Sequence, residues 1–292
     1  MSPNNKDSRT IACVVDTECC YMNAKPYHEP NGLVYHFGAV FGNLHQQHSF
    51  YVREMDYYVQ EVIENMDYFF FHNRDGEAYA LNQSMVLAHK DAIRNPHKVK
   101  KWKHIMEEFY ENINSMGVEY LTSYNFNFDI GIGERVGAMR KTHQQLTDKV
   151  FYLPRGVDVV CLMDIVGTLM ANRNFKAWID SLSETDRKQM TTEKGNLSYS
   201  AQTMLRYLSK DLFYTEQHTA LRDSRMEFRL FMECWRKWNK IIREEFINNI
   251  KAISFKDFNN GLTSTEKREN RLKRGKAQKG KKGVVGTKKV MT

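Results

Sequence analysis

The stretch Ile11-Ala12-Cys13-Val14-Val15-Asp16-Thr17-Glu18 decides the fold of this 292-residue chain. Its first five residues are apolar, which predicts a buried β-strand. Asp16 and Glu18 end that predicted strand, and because alternate residues of a strand point to one face, their carboxylates project together. Such a pair repels itself unless a cation lies between the groups, and oxygen ligands favour Mg²⁺ or Mn²⁺. A strand end with a solvent-facing Glu18 is the alternative explanation of this pair alone.

The rest of the chain alternates between strand and helix patterns. Two further strands are predicted in quick succession, at 34–41 and 47–52, on either side of the turn residues Gly42 and Asn43, which favours an antiparallel meander. Downstream, the periodicity predicts helix 99–116, strand 118–122, a helix after Asp129, strand 157–162, helix 200–208 and a long helix 219–250. This order predicts an α/β domain with a mixed sheet, and segments 56–96 and 167–196 are interpreted as additions around it.

Positive charge is concentrated at one end of the chain. The chain has 43 Lys and Arg and 35 Asp and Glu, and residues 263–292 contain 11 of the basic and 2 of the acidic residues, a net charge of +9. The remainder is close to neutral, at −1. Because it lacks apolar periodicity, segment 256–292 is predicted to be a disordered basic tail, and residues 1–10 a flexible N-terminus. The tail is expected to attract phosphates without sequence preference, and solubility or contact with another protein is the alternative role.

Cysteine content and hydropathy narrow the class of protein. Five cysteines without CxxC spacing favour reduced thiols and a cytoplasmic location. No segment reaches the roughly 18 apolar residues of a membrane span, and the polar first ten residues predict no secretory signal. A soft-metal site at Cys19-Cys20 with His28 or His36 is an alternative metal site, but adjacent cysteines fit tetrahedral geometry poorly.

Two later segments carry acidic residues at predicted element ends. Tyr124-Asn125-Phe126-Asn127-Phe128-Asp129 directly follows strand 118–122. His218 precedes the long helix and Asp223 lies in its first turns. Because five helical residues turn the chain by about 500°, the two side chains converge only if His218 stays on the loop. Taken singly, these patterns are also explained by turn, N-cap and helix-dipole preferences.

In order, the three segments resemble the motifs of the DEDDh 3′→5′ exonucleases, a group that includes the proofreading subunit of the bacterial replicative polymerase, ribonuclease T and oligoribonuclease. The matching residues are Asp16-x-Glu18, Asn125-x-x-Phe128-Asp129 and His218-x-x-x-x-Asp223. The resemblance covers about 11–238 and implies a ribonuclease H-like fold, with a mixed five-stranded sheet flanked by helices in an exonuclease domain at 11–255. The chain departs from the family at Cys19-Cys20-Tyr21, where Thr-Thr-Gly is common, and at Tyr124, where His is frequent.

The resemblance also implies the chemistry of the site. Asp16, Glu18 and Asp223 would hold one divalent ion, Mg²⁺ or Mn²⁺, and Asp16 would bridge to a second ion that Asp129 binds through water. Two such ions, about 3.5–4 Å apart, stabilise the attacking and leaving oxygens of a phosphoryl displacement. His218 would be the general base that accepts a proton from the attacking water.

The side chains that flank these residues are the predicted substrate contacts: Tyr21, Met22, Tyr124, Asn125 and Phe126. Core packing is the alternative explanation of Phe126.

The implied activity is release of nucleoside 5′-monophosphates from single-stranded DNA or unpaired 3′ ends. An exoribonuclease that trims RNA and a nucleic-acid-binding module without catalysis are the alternatives. Single-stranded nucleic acid is therefore the expected partner, DNA favoured over RNA, with a replication or repair protein as a further candidate. The composition resembles that of phage or bacterial nucleases. The predicted location is therefore the cytoplasm, or the cytoplasm of the host cell if a phage encodes the chain. The sequence does not predict the oligomeric state.

Overall fold

The computed structural model describes residues 9–21, 32–46, 51–65, 83–131, 136–170, 173–192, 195–216 and 218–237. The strands in these residues are β1 (Ile11–Tyr21), β2 (Gly32–Asn43), β3 (Tyr51–Val59), β4 (Val99–Lys100), β5 (Val118–Ser123) and β6 (Asp158–Cys161). The helices are α1 (Gln60–Ile63), α2 (Gln83–Arg94), α3 (Trp102–Met116), α4 (Phe126–Asp129), α5 (Ala138–Thr147), α6 (Leu162–Met170), α7 (Arg173–Ser181), α8 (Glu184–Gln189), α9 (Ala201–Ser209) and α10 (Ala220–Lys237), and a 3₁₀ turn spans Pro96–Lys98.

The strands form one mixed sheet in the order β4-β3-β2-β1-β5-β6. β1, β2 and β3 pair antiparallel, which confirms the predicted meander. β5 runs parallel to β1, and β6 runs parallel to β5. The α/β class with a mixed sheet flanked by helices is therefore confirmed, and the sheet gains the two-residue strand β4, parallel to the end of β3, beyond the five strands predicted.

Strand β1 is apolar on both faces because helices cover the sheet on both sides. Cys13 and Val15 lie in one core with Trp102 and Phe109 of α3, and Val14 lies in a second core on the opposite face. Phe228 and Phe231 of α10 belong to that second core. A strand buried on both faces reads as a continuous apolar run instead of an alternating one, which explains the Ile11–Val15 pattern.

Two boundaries differ from the sequence prediction. β3 runs from Tyr51 to Val59, so residues 56–59 belong to the sheet and not to an added segment, and residues 47–50 lie outside the described part. Most of β3 is only partly buried, so it lacks the apolar pattern by which strands are recognised. α3 begins at Trp102 because Val99 and Lys100 pair with β3.

The two predicted additions pack into the same cores as the sheet. Ala88 and Ala92 of α2 are buried in the core that contains Trp102. Phe175 and Ile179 of α7 are buried in the core that contains Phe228.

The chain ends are described only in part. Of the predicted flexible N-terminus, residues 9 and 10 are described, and Thr10 is buried with its carbonyl accepting the Leu44 N–H at 2.9 Å. α10 is described as far as Lys237, so the remainder of the predicted helix 219–250 and the basic tail 256–292 fall outside the described residues. Among the described helices, none is long and apolar enough to cross a membrane.

Candidate active site

The acidic residues of the first two motifs meet where β5 stops pairing with β1. β5 pairs with β1 only as far as Val14, whereas β2 continues to pair with β1 as far as Tyr21. Asp16 and Glu18 therefore lie in the part of β1 that pairs with β2 along one edge only. The other edge of this part faces the turn and the short helix that follow β5. Asp129, the last residue of α4, occupies this position.

Thr17 ties these two segments together. Its backbone N–H and its hydroxyl both donate to Oδ1 of Asp129, at 3.2 and 2.7 Å. Burial raises the pKa of Asp129 to about 7, although the two bonds from Thr17 favour its charged form. The sequence prediction treated Thr17 only as the spacer between Asp16 and Glu18, yet its side chain fixes the position of the second-motif carboxylate.

Glu18, His218 and Asp223 form a cluster of metal-ligand type. One ligand atom from each residue lies within 4.8 Å of the others, and within the described parts of the chain this is the one such group. Asp223 is buried in the first turn of α10, and His218 is exposed on the preceding loop with a left-handed φ of 51°. The loop position lets the imidazole converge on the carboxylates, as the spacing required.

Asp16 adjoins this cluster, and the negative charges of neighbouring carboxylates act on its ionisation. Burial, followed by the carboxylates of Glu227, Asp129, Glu18 and Asp223, raises the pKa of Asp16 well above its ordinary value. Burial also raises the pKa of Glu18, although the neighbouring His36 and His218 oppose the shift. Carboxylates in such a cluster bind protons or a divalent cation, and their oxygens fit Mg²⁺ or Mn²⁺.

Glu227 is a fifth carboxylate that sequence reasoning missed. It lies one helical turn after Asp223 and is only 3% exposed, and its Oε2 accepts the Tyr124 N–H at 3.1 Å. Burial and the charges of Asp129, Glu216 and Asp223 raise the pKa of Glu227 well above its ordinary value. The available signal was the Asp223-x-x-x-Glu227 spacing, which places both side chains on one face of a helix.

The start of α10 is held against β2 by His36 and Gly38. His36 faces Glu18 in the strand register, and its Nδ1 accepts the Ala220 N–H at 3.4 Å. Its Nε2 then carries the proton and donates to Asp56 Oδ1 at 2.8 Å. A Cβ added at Gly38 would lie 2.2 Å from the carbonyl carbon of Ala220, so only glycine permits this approach. These contacts set the position of the loop that carries His218.

Asp56 stabilises this arrangement from the far side of His36. Its second carboxylate oxygen accepts from Lys98 Nζ at 2.8 Å. Burial opposes its ionisation, but the hydrogen bonds from His36 and Lys98 and the positive charge of Lys98 lower the pKa of Asp56 to about 2. The group is therefore ionised at neutral pH, and it orients the imidazole through a charge-assisted hydrogen bond.

The predicted substrate contacts occupy different environments. Phe126 is fully buried in the core that contains Trp102, which favours the alternative explanation of core packing. Asn125 is exposed, and the Tyr124 hydroxyl donates to the Tyr199 carbonyl. Met22 and the side chain of Tyr21 lie outside the described residues.

The alternative soft-metal site does not form among the described residues. Cys20 is buried with its thiol donating to the Leu33 carbonyl at 3.3 Å. Burial raises the pKa of the Cys19 and Cys20 thiols, which disfavours the thiolate that a soft metal needs. His36 uses both ring nitrogens elsewhere, and His28 lies outside the described residues.

Comparison with known proteins finds similarity only among solved structures. No protein-family model matches the chain, and no curated protein matches it. The nuclease domain of 3′hExo, a DEDDh family member, bound to rAMP, is 13% identical, with a TM-score of 0.46 over 79% of this chain and 94% of that one. A full-length 3′-exonuclease is 13% identical, with a TM-score of 0.48 over 78% of this chain and 83% of that one. Cell-death related nuclease 4 is 14% identical, with a TM-score of 0.46 over 78% and 64% of the two chains. The chain is similar to these nucleases in the arrangement of its sheet and helices, and its chemistry rests on its own site residues.

Proposed function

We propose that this chain is a metal-dependent 3′→5′ exonuclease of the DEDDh type, which releases nucleoside 5′-monophosphates from single-stranded nucleic acid. The observation that supports this proposal is the convergence of Glu18, His218 and Asp223 within 4.8 Å. The three come from two segments about 200 residues apart in the sequence, and Asp16 and Asp129 adjoin them.

Each residue of the cluster has a distinct role in this proposal. Asp16, Glu18 and Asp223 would hold one divalent ion, and Asp16 and Asp129 a second. Such ions, when bound, neutralise the carboxylates and polarise the scissile phosphodiester. His218 accepts a proton from the attacking water, and its exposed loop position gives it access to that water.

The neighbouring groups hold this arrangement in place. Thr17 orients Asp129 through two hydrogen bonds. Glu227 accepts the backbone N–H of Tyr124, at the start of the turn that leads to Asp129. The exposed Asn125 and the partly buried Tyr124 are the proposed substrate contacts on that turn.

Single-stranded DNA or an unpaired 3′ end is the proposed substrate, with RNA as the alternative to be tested beside it. A basic tail of net charge +9 supports nucleic acid as the partner, since it attracts phosphates of either polymer. The cysteines that the structure describes are all free, which supports a reducing compartment such as the cytoplasm. A replication or repair protein is a further partner within this proposal.

A gel assay tests the activity. Single-stranded DNA and RNA of equal sequence, labelled at the 5′ end, are incubated with Mg²⁺, with Mn²⁺ or with EDTA. A ladder that shortens from the 3′ end with metal, and is abolished in Asp16→Asn and Glu18→Gln, supports the proposal and identifies the preferred sugar. Asp148→Asn is the matched control, because it removes one exposed carboxylate from the loop after α5. Salt-sensitive binding of both polymers without cleavage by the wild type would leave a non-catalytic binding module instead.

A further inference from the structure

A groove beside α10 adjoins the candidate active site. Its volume is about 230 Å³, and Asp223 lines both the groove and the metal-ligand cluster. Arg222, Arg225 and Arg229 line it from α10, and Tyr214 lines it from the preceding loop. We call this feature the arginine groove.

The three arginines form a stripe along one side of the helix. Their spacings of three and four residues bring them onto neighbouring positions of the helix surface. At a rise of about 1.5 Å per residue, the stripe from Arg222 to Arg229 is about 10 Å long. It therefore leads away from Asp223 along the helix, instead of surrounding a single point.

The arginines differ in their surroundings. Arg225 donates to both carboxylate oxygens of Glu54 of β3, at 2.7 and 2.5 Å, so this arginine is committed to an intramolecular ion pair. Arg222 and Arg229 are exposed, and Arg229 also hydrogen-bonds to Tyr51. Two solvent-accessible guanidinium groups thus remain at the two ends of the stripe.

The ligand chemistry follows from these groups and from where the groove leads. A guanidinium presents a planar fork of N–H donors that matches a phosphate with two parallel hydrogen bonds. Two such groups along a stripe that begins at a candidate metal ligand suit a chain of phosphates better than a single anion. The chain outside 263–292 has a net charge of only −1, so it attracts a polyanion weakly as a whole. The exposed arginines of the groove supply positive charge locally, beside the candidate active site.

We propose that the arginine groove binds the phosphate backbone of the nucleic-acid strand whose 3′ end occupies the active site, with Arg222 and Arg229 as the phosphate contacts. The proposal rests on the proposed function for the identity of the strand. Arg225 serves as the fixed wall of the groove, because Glu54 neutralises it.

The test is strand binding under conditions that do not require catalysis. Binding of a fluorescent single-stranded oligonucleotide to the full chain is measured in EDTA over a series of salt concentrations. In Arg222→Ala/Arg229→Ala we expect a roughly tenfold weaker affinity. We also expect the slope of log affinity against log salt to fall by roughly 1.4, since each lost single-strand phosphate contact removes about 0.7. The basic tail is present in every variant, so its contribution is common to all of them.

Two further variants make the result specific. Arg187→Ala/Lys188→Ala removes the same charge from exposed residues of α8, and we expect the wild-type affinity and slope. Arg222→Lys/Arg229→Lys keeps the charge and loses the fork, so we expect the wild-type slope with an intermediate affinity. Circular dichroism and the urea midpoint confirm that each variant folds.

The outcomes separate the groove from the catalytic proposal. Unchanged affinity and slope in folded Arg222→Ala/Arg229→Ala overturn the groove, as does equal weakening in the α8 control. Loss of affinity for polyglutamate, with oligonucleotide binding intact, also overturns it, because the partner is then an acidic protein. If the wild type cleaves no nucleic acid but the predicted binding losses occur, the catalytic proposal fails and the groove stands.

Discussion

Replacing Asp129 with Asn isolates the electrostatic cost of the acidic cluster. The amide keeps an oxygen at the position of Oδ1, so the two hydrogen bonds from Thr17 can persist while the negative charge is removed. Asp129 is 3% exposed and ends the short helix α4, so the change in side-chain volume is small and local. The expected result in metal-free protein is an increase in the free energy of unfolding that depends on pH.

The size of this increase follows from the pKa of Asp129. Burial raises it from the ordinary 3.8 to about 7 in the folded protein, so the folded state retains a proton that the unfolded state releases between these values. Stability is therefore full below about pH 4, falls as the pH rises through this window, and is constant above about pH 7. A difference of roughly three units corresponds to about 4 kcal/mol, an upper value for the gain in Asp129→Asn at high pH.

Urea unfolding followed by tryptophan fluorescence measures the effect. Wild type, Asp129→Asn and the exposed control Asp148→Asn are compared in EDTA at about pH 4 and about pH 8. We expect Asp129→Asn to be the most stable at the higher pH and to match the wild type at the lower one. Added Mn²⁺ is expected to reverse the order, because a cation bound only by the folded state stabilises the wild type.

Two results would refute this reasoning. If Asp129→Asn gives no gain at about pH 8 in EDTA, the buried carboxylate does not carry the proposed cost. An equal gain at both pH values would show that packing, and not charge, is responsible.

Three further substitutions probe the contacts around the cluster. Glu227→Gln keeps the acceptor for the Tyr124 N–H, whereas Glu227→Ala removes it. In urea unfolding in EDTA at about pH 8, we expect the Gln variant to be more stable than the Ala variant by about 1–3 kcal/mol. Equal stabilities would show that the hydrogen bond contributes nothing. Gly38→Ala places its Cβ 2.2 Å from the Ala220 carbonyl carbon, so we expect a loss of about 1–3 kcal/mol in stability. Because the clash displaces the first turn of α10, which carries Asp223, we also expect weaker Mn²⁺ binding by calorimetry, and unchanged Mn²⁺ affinity would contradict a role in placing Asp223. Thr17→Val removes the 2.7 Å hydrogen bond that favours ionised Asp129, and a weaker Mn²⁺ affinity that recovers as the pH is raised is the expected calorimetric result; wild-type affinity at every pH would argue against it.

The strands, the helices and the order of the motifs could be predicted from the sequence because they depend on local patterns. The apolar run of β1, the helical spacing of α3 and the Gly117 stop each report on neighbouring residues, and the structure places these elements near the expected positions. The strand β4 and the length of β3 were missed, since their pairing depends on a distant partner and not on an apolar pattern.

The sequence by itself determined which residues could carry the chemistry, namely Asp16, Glu18 and Asp129 beside strands and the His218–Asp223 pair at a helix start. Their spacing is a local property of strand and helix, so it can be read without knowing the fold.

Only the tertiary structure decided which of their neighbours join them. Glu227 enters the acidic cluster, Phe126 enters the core, and the pairing of Arg225 with Glu54 leaves two other arginines facing solvent. The entry of Glu227 and the pairing of Arg225 depend on how α10 packs across the sheet, whereas Phe126 is buried by the core on the opposite face, which contains Trp102. Both are contacts between segments far apart in the chain. Burial and the charges of residues distant in the sequence set the pKa values and the solvent exposure of these side chains. A local sequence pattern contains no information on either.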